Sequence, residues 1–336
     1  MRIPGLLTLL LYLTATAAFA GPRLDLIRKR GYLTCGIEPV VAGFAELDPR
    51  GHYRGFDVDV CRAVAAAILG TAEKTRFIQV SSVAEFLKND EIDVVSRRLT
   101  WELQREGSLP ILFGPITFYD GQGFLVARTV NAKSSGQLAD IPLCVAGGTN
   151  FEFAVGSHFQ AGKLALKKIV LESAADFGSI ATALSSGRCQ AYTADVSELG
   201  AIRARLPPAE FVILPEQISR EPLAPLVRQD DPDFFVVLRW TIFALINAEE
   251  LGVASGNLEA MRKSDSVDVQ RLLGVVPGNG RALGLRESWA YDAIKAVGNY
   301  GEMFEKNIGR GSSIKLERGL NRLAKDGGLM YAPPLR

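Results

Sequence analysis

The chain has 336 residues, 48% of them apolar and 22% charged, with 38 Lys and Arg against 37 Asp and Glu. That length suits one large domain or two of ordinary size, and balanced charge with this apolar content argues against intrinsic disorder. A formal net charge of +1 gives no electrostatic case for a nucleic-acid binder, and no apolar run after the first twenty residues is long enough for a polytopic membrane protein.

Residues 1–20 carry Arg2, an apolar stretch over 6–13, and small residues at Ala18 and Ala20. This is the three-part plan of a secretory signal, with cleavage expected near Ala20-Gly21. An uncleaved anchor is the weaker reading, because the apolar part falls short of ~30 Å of hydrocarbon. Export permits disulfides. Cys35, Cys61, Cys144 and Cys189 allow three pairings. Cys35–Cys61 and Cys144–Cys189 are expected, since each then lies within one folding unit; buried free thiols are the alternative. The spacing offers neither a zinc site nor a thioredoxin-like redox site.

Residues 33–37 read as a strand and 51–55 as a turn. Residues 56–69 read as a helix with Phe56, Val60, Val64 and Ile68 on one face, Asp57 in its first turn and Gly70 past its end. Strands at 76–80 and 92–96 complete a β-α-β-α-β run, the mark of a mostly parallel sheet covered by helices. The pattern then restarts, with extended or strand segments at 123–127, 142–146, 190–193 and 211–214 and a helix at 175–186. Residues 221–228 are extended again. If 123–127 and 221–228 both cross between the units, they form a hinge of the kind that closes two lobes on a ligand. Amphipathic helices follow at 233–251 and 288–297. The expected division is a signal peptide over 1–20, a first lobe over 21–127, a second over 128–219, and a return to the first over 220–336 with C-terminal helices.

His52 and His158 lack metal-ligand spacing and read as lone surface residues. No nucleophile elbow, phosphate loop or dinucleotide fingerprint is present, and no metal or cofactor is expected. Asp57 and Asp59 are explained by a helix N-terminus. Three segments fall at carboxyl ends of strands, where open α/β sheets bind ligands. Residues 97–105 supply arginines that can grip a carboxylate through two parallel N–H bonds. Gly147-Gly148-Thr149-Asn150 leads into a helix and offers backbone N–H groups. Asp195 can take an ammonium. Together they suit an α-amino acid zwitterion. Arg105 as a surface ion-pair residue and Asp195 as a helix N-cap are the competing readings.

Longer motifs go further. Gly55-Phe56-Asp57-Val58-Asp59-Val60-Cys61-Arg62-Ala63, Tyr119-Asp120-Gly121-Gln122-Gly123-Phe124, Gly187-Arg188-Cys189-Gln190-Ala191-Tyr192-Thr193, Ala296-Val297-Gly298-Asn299-Tyr300-Gly301-Glu302 and Gly328-Leu329-Met330-Tyr331-Ala332-Pro333-Pro334 resemble solute-binding protein family 3, in particular the periplasmic L-amino-acid binders of polar amino-acid ABC importers. The resemblance implies an α/β, two-lobed periplasmic-binding-protein-like fold of type II. Each lobe would be a mixed sheet covered by helices, with two hinge strands between. It implies a periplasmic monomer that closes on one free L-amino acid and docks on an inner-membrane ABC permease. It puts Arg105 and Thr100 on the ligand carboxylate, Asp195 on its ammonium, and Thr149 with Asn150 in the second-lobe loop, with Arg98 and Glu38 at the cleft.

The chain departs from the family pattern at Arg97-Arg98-Leu99-Thr100, where Arg-Asn-Thr-Thr is usual, at Gly148-Thr149-Asn150, where Gly-Thr-Thr is usual, and at Glu85, where an arginine is usual. All three are expected to touch the cleft, where one unsatisfied group costs ~1–3 kcal/mol, or about tenfold in affinity. Two rival readings use the same scaffold: a dehydratase-like periplasmic enzyme with Glu38 or Glu102 as its acid, and a ligand-sensing partner of a receptor.

Overall fold

The computed structural model describes residues 22–38, 41–172, 177–207 and 209–336; the expected signal peptide lies outside the described residues. In chain order the strands are β1 (Leu33–Ile37), β2 (Glu46–Leu47), β3 (Tyr53–Arg54), β4 (Thr75–Gln79), β5 (Val94–Val95), β6 (Ile111–Phe113), β7 (Phe118–Asp120), β8 (Gln122–Ala127), β9 (Leu143–Ala146), β10 (Lys168–Leu171), β11 (Ala191–Asp195), β12 (Phe211–Ile213), β13 (Glu221–Leu223) and β14 (Leu226–Arg228). One sheet has the order β4-β1-β5-β14-β6 and the other β10-β9-β11-β8-β12. In each, three parallel strands are followed by a fourth that runs against them and a fifth that pairs antiparallel with the fourth. The two units therefore share a strand plan, although no sequence repeat announces it. Residues 51–55 are more than a turn, since β3 within them pairs antiparallel with β2.

The first unit begins with α1 (Pro22–Arg30), whose free N–H groups at Arg23 and Leu24 donate to the Asp231 carboxylate at 2.7 and 3.1 Å. Every residue of β1 is buried, as a strand covered on both faces requires. The helix α2 (Phe56–Leu69) lies under it and ends at Gly70, which adopts φ 81° and donates its N–H to Ala66; that left-handed cap needs glycine. Two short helices follow, α3 (Val83–Lys88) and α4 (Leu103–Ser108). In the second unit α5 (Asn150–Ala161), α6 (Phe177–Ser185) and α7 (Val196–Arg203) flank the sheet. The chain then returns to the first unit through α8 (Pro232–Glu250), capped by Asp231 with Pro232 in its first turn. The helices Trp289–Val297 and Tyr300–Asn307 close over α2, burying Trp289, Ile294 and Phe304. Disulfides join Cys35 of β1 to Cys61 of α2 and Cys144 of β9 to Cys189 before β11, with Cα–Cα separations of 6.1 and 5.7 Å.

The expected boundary after Ala127 is corrected. β8 pairs with β11 and β12 in the second sheet, so the chain has left the first sheet after Phe113 and enters the second at Gln122. The crossing strands are β7 and β13, which pair antiparallel with Asp120 opposite Glu221. Residues 123–127 are thus sheet rather than hinge. Residues 221–228 are two strands, and β14 already belongs to the first sheet. An apolar run buried on both faces reads alike in either place, which is why the sequence left this open.

The C-terminal segment ties the units further. Asn321, buried, accepts the Tyr119 N–H at 2.7 Å and donates to the Tyr119 carbonyl at 3.0 Å, clasping the crossing strand. Tyr300 Oη donates to the Thr117 carbonyl at 2.9 Å. Arg203 on α7 donates to the carbonyls of Ile314 and Lys315 at 2.7 and 3.0 Å. Gly200 lets this contact form: a β-carbon there would stand 2.6 Å from the Ile314 side chain.

Candidate functional site

The charged residues between the units gather around Arg98. It follows β5, has φ 51°, and its side chain is 12% exposed. Arginine adopts that left-handed backbone uncommonly. Its Nε donates to Glu38 Oε2 at 3.1 Å in the first unit, and its Nη1 donates to Ser197 Oγ at 3.2 Å in the second. Its guanidinium carbon stands 5.5 Å from the Phe44 ring centre. Burial pulls the guanidinium's pKa down, but Glu38, Glu198, Asp120 and Asp195 outweigh it and hold Arg98 firmly charged. Arg97 Nη2 lies 3.8 Å from Glu38 Oε1.

The carboxyls outnumber these two cations. Asp57, in the first turn of α2, accepts from Ser96 Oγ at 2.7 Å and is pushed up to about 7 by burial. Asp120 Oδ1, at the end of β7, accepts the backbone N–H groups of Gly121 and Ser197 at 2.9 and 3.2 Å. Burial also raises Asp120 and, in α7, Glu198. Asp195 ends β11 and precedes α7. It occupies the N-cap position but makes no side-chain cap bond, so the capping alternative does not describe it. Burial raises its pKa first, the neighbouring Asp120 adds to this, and Arg98 opposes both. Among the described residues, Asp57 Oδ2, Asp120 Oδ2 and Asp195 Oδ1 are buried without a hydrogen-bond partner. Such acceptors are costly to leave unmet.

The other expected residues fall beside this cluster or at its edge. Thr100 donates its hydroxyl to Glu221 Oε2 at 2.7 Å, and Ser219 Oγ donates to Glu221 Oε1 at 2.8 Å. Thr100 is therefore bound to the crossing strand β13. Arg105 donates to the Thr100 carbonyl and sits 3.0 Å from Glu102 Oε1, at the N-cap position of its own short helix. Glu102 is half exposed. A pair of that kind contributes ~1 kcal/mol or less, so a ligand carboxylate can displace it. Thr149 caps α5: its hydroxyl donates to the Ala146 carbonyl at 2.7 Å and accepts from the Glu152 N–H at 3.4 Å. Asn150 is exposed. The glycine N–H groups expected to await an anion are in use, Gly147 on the Leu171 carbonyl and Gly148 on the Glu152 carboxylate.

Two departures from the family pattern belong elsewhere than the cleft. Leu99 packs with Val95, Ile111 and Phe113 in a satellite core, so an apolar side chain suits its place. Glu85 lies in the first turn of α3, which Ser82 caps, and accepts the Ser81 N–H at 2.8 Å on the surface. Sequence reading missed Asp120, Ser197, Glu198 and Glu221. Asp120 stood in a quoted motif and Glu221 at the start of the extended stretch 221–228; Ser197 and Glu198 carried no local signal.

Two sheets of matching plan, joined by paired crossing strands and with a buried carboxyl–guanidinium cluster where they face each other, define a two-lobed solute-binding architecture. The chain belongs to the bacterial extracellular solute-binding proteins, family 3, whose pattern it matches over residues 33–310. It is 42% identical over 327 residues to the general L-amino acid-binding periplasmic protein AapJ of Rhizobium johnstonii, covering 96% of this chain and 95% of that one. It is 42% identical over 328 residues to the glutamate/glutamine/aspartate/asparagine-binding protein BztA of Rhodobacter capsulatus, covering 96% of both. A solved ABC transporter/periplasmic binding protein of Brucella ovis with glutathione bound superimposes with a TM-score of 0.82 at 42% identity, covering 93% of this chain and 99% of that one. This is a family of binding proteins and not of enzymes, which sets the dehydratase-like alternative aside.

Proposed function

We propose that the protein captures a free L-amino acid between its two lobes in the periplasm and delivers it to an inner-membrane ABC permease. The observation that carries this reading is the pair of buried, unpartnered carboxyl oxygens of Asp120 and Asp195 beside Arg98, set beside whole-length kinship to amino-acid binders. In this reading Arg105 exchanges its exposed Glu102 partner for the ligand carboxylate, with Thr100 beside it, and Asp195 takes the ammonium as the lobes close. Thr149 and Asn150 border the site from the second lobe. Residues 1–20 direct export and are removed near Ala20-Gly21. The chain acts as a monomer. Binding shifts the balance between open and closed forms by no more than the ligand's differential affinity for them.

Calorimetric titration of ligand-stripped mature protein with the common amino acids, and with glutathione in parallel, tests the reading. Saturable heat with at least one amino acid is expected. Arg105→Ala should weaken that binding by about 2 kcal/mol, roughly thirtyfold. Heat from glutathione and none from any amino acid would replace the proposed ligand with a peptide.

A further inference from the structure

Arg98 is the one group whose hydrogen bonds, among those described around the cluster, run to both lobes at once. Its Nε is held by Glu38 of the first lobe and its Nη1 by Ser197 of the second. Its backbone keeps a left-handed φ of 51°, which an L side chain holds when its surroundings fix it there. Phe44 lies against the guanidinium and adds a cation–π attraction. The carboxyls that act on it, Asp120, Asp195 and Glu198, come from the end of β7, the end of β11 and the first turn of α7. These are the groups to which a zwitterion's ammonium would go. Two cations cannot share them without repulsion, which is strong where water is excluded.

We infer that Arg98 is a tethered cation that latches the two lobes together and competes with the ligand's ammonium group for the carboxyl cluster. The competition rests on the amino-acid reading above; the latch does not. Arg105 has a half-exposed neighbour, Glu102, to give up for a ligand carboxylate, whereas Arg98 is largely buried and commits Nε to one lobe and Nη1 to the other. Ligand entry therefore requires the guanidinium to yield its place, and apparent affinity falls by the fraction of molecules in which it has done so.

The test compares wild type, Arg98→Gln and Ser197→Ala as mature, ligand-stripped proteins. Arg98→Gln keeps most of the bulk and drops the charge. Ser197→Ala leaves Arg98 in place, removes its bond to the second lobe, and serves if the first variant fails to fold. Small-angle X-ray scattering should show a larger radius of gyration for both variants than for wild type. Calorimetry with L-glutamine and L-glutamate should show Arg98→Gln binding about tenfold tighter, with Ser197→Ala shifted the same way by less. Equal radii for all three proteins would overturn the latch. Weaker binding by Arg98→Gln would overturn the competition and make Arg98 a ligand-gripping residue. No heat from any of the three with any amino acid would overturn the amino-acid reading and the competition with it, while the radii would still decide the latch.

Discussion

Asp57 illustrates how single residues here are held away from their usual chemistry. Its carboxyl is buried between α2 and Ser96 and pushed up to about 7 from 3.8. A raised carboxyl binds its proton more tightly folded than unfolded. Stability is then unaffected below pH 4, falls as pH rises from about 4 to 7, and stays at the lower level above that. Asn cannot ionise and still accepts from Ser96. Asp57→Asn should therefore be more stable than wild type by on the order of 2 kcal/mol at pH 8, with the gain vanishing near pH 4. Urea unfolding across that range measures it, and a pH-independent difference would show that burial does not control this group. At this scale the sequence was partly legible. Arg98, Glu38, Thr100, Arg105 and Asp195 could be nominated because loops at strand ends are short lists. Their partners could not be, because Arg98 meets Ser197 ninety-nine positions away and Thr100 meets Glu221 at a separation of 121. Asp57 itself looked like ordinary helix-dipole chemistry, since burial leaves no mark on residue type.

Among the elements, those with many residues and a clear period were readable. The β1–α2 pair and α8 stand where the apolar spacing puts them. Strands of two or three residues, such as β5, β6 and β7, are too short to show any period, and their places come from pairing partners far along the chain. The disulfides belong to this scale, because each fixes one strand to the element beside it. Cys35–Cys61 closes 26 residues and Cys144–Cys189 closes 45. Loop-closure entropy then predicts that replacing both cysteines of a pair by serine lowers the unfolding free energy by about 3.5 kcal/mol for the first and about 4 for the second. Urea denaturation under non-reducing conditions checks both. A greater loss from the shorter loop would show that packing around β1 and α2, and not chain entropy, sets the contribution.

The molecule as a whole is two sheets of one plan linked by two crossing strands and a C-terminal segment that touches both. That segment runs past residue 310, where the family match stops, and it clasps Tyr119 through Asn321. Asn321→Ala would leave both backbone groups of Tyr119 without these bonds in a partly buried place, so it should destabilise the protein by about 1–2 kcal/mol, read as a lower urea midpoint at unchanged slope. An unchanged midpoint would mean that the tail rests on the crossing strand without bracing it. One further consequence lies in the register of the crossing strands. Asp120 stands directly opposite Glu221, so the hundred-residue excursion between them departs and comes home a single ladder step apart, about 5 Å. A genetic exchange that swapped the whole excursion for a foreign one would have that gap to match, together with the tail's grip on α7 and the bonds of Arg98 and Asp120 to Ser197. The second lobe is thus an insertion whose two ends meet, so its length and content can change without moving the first sheet.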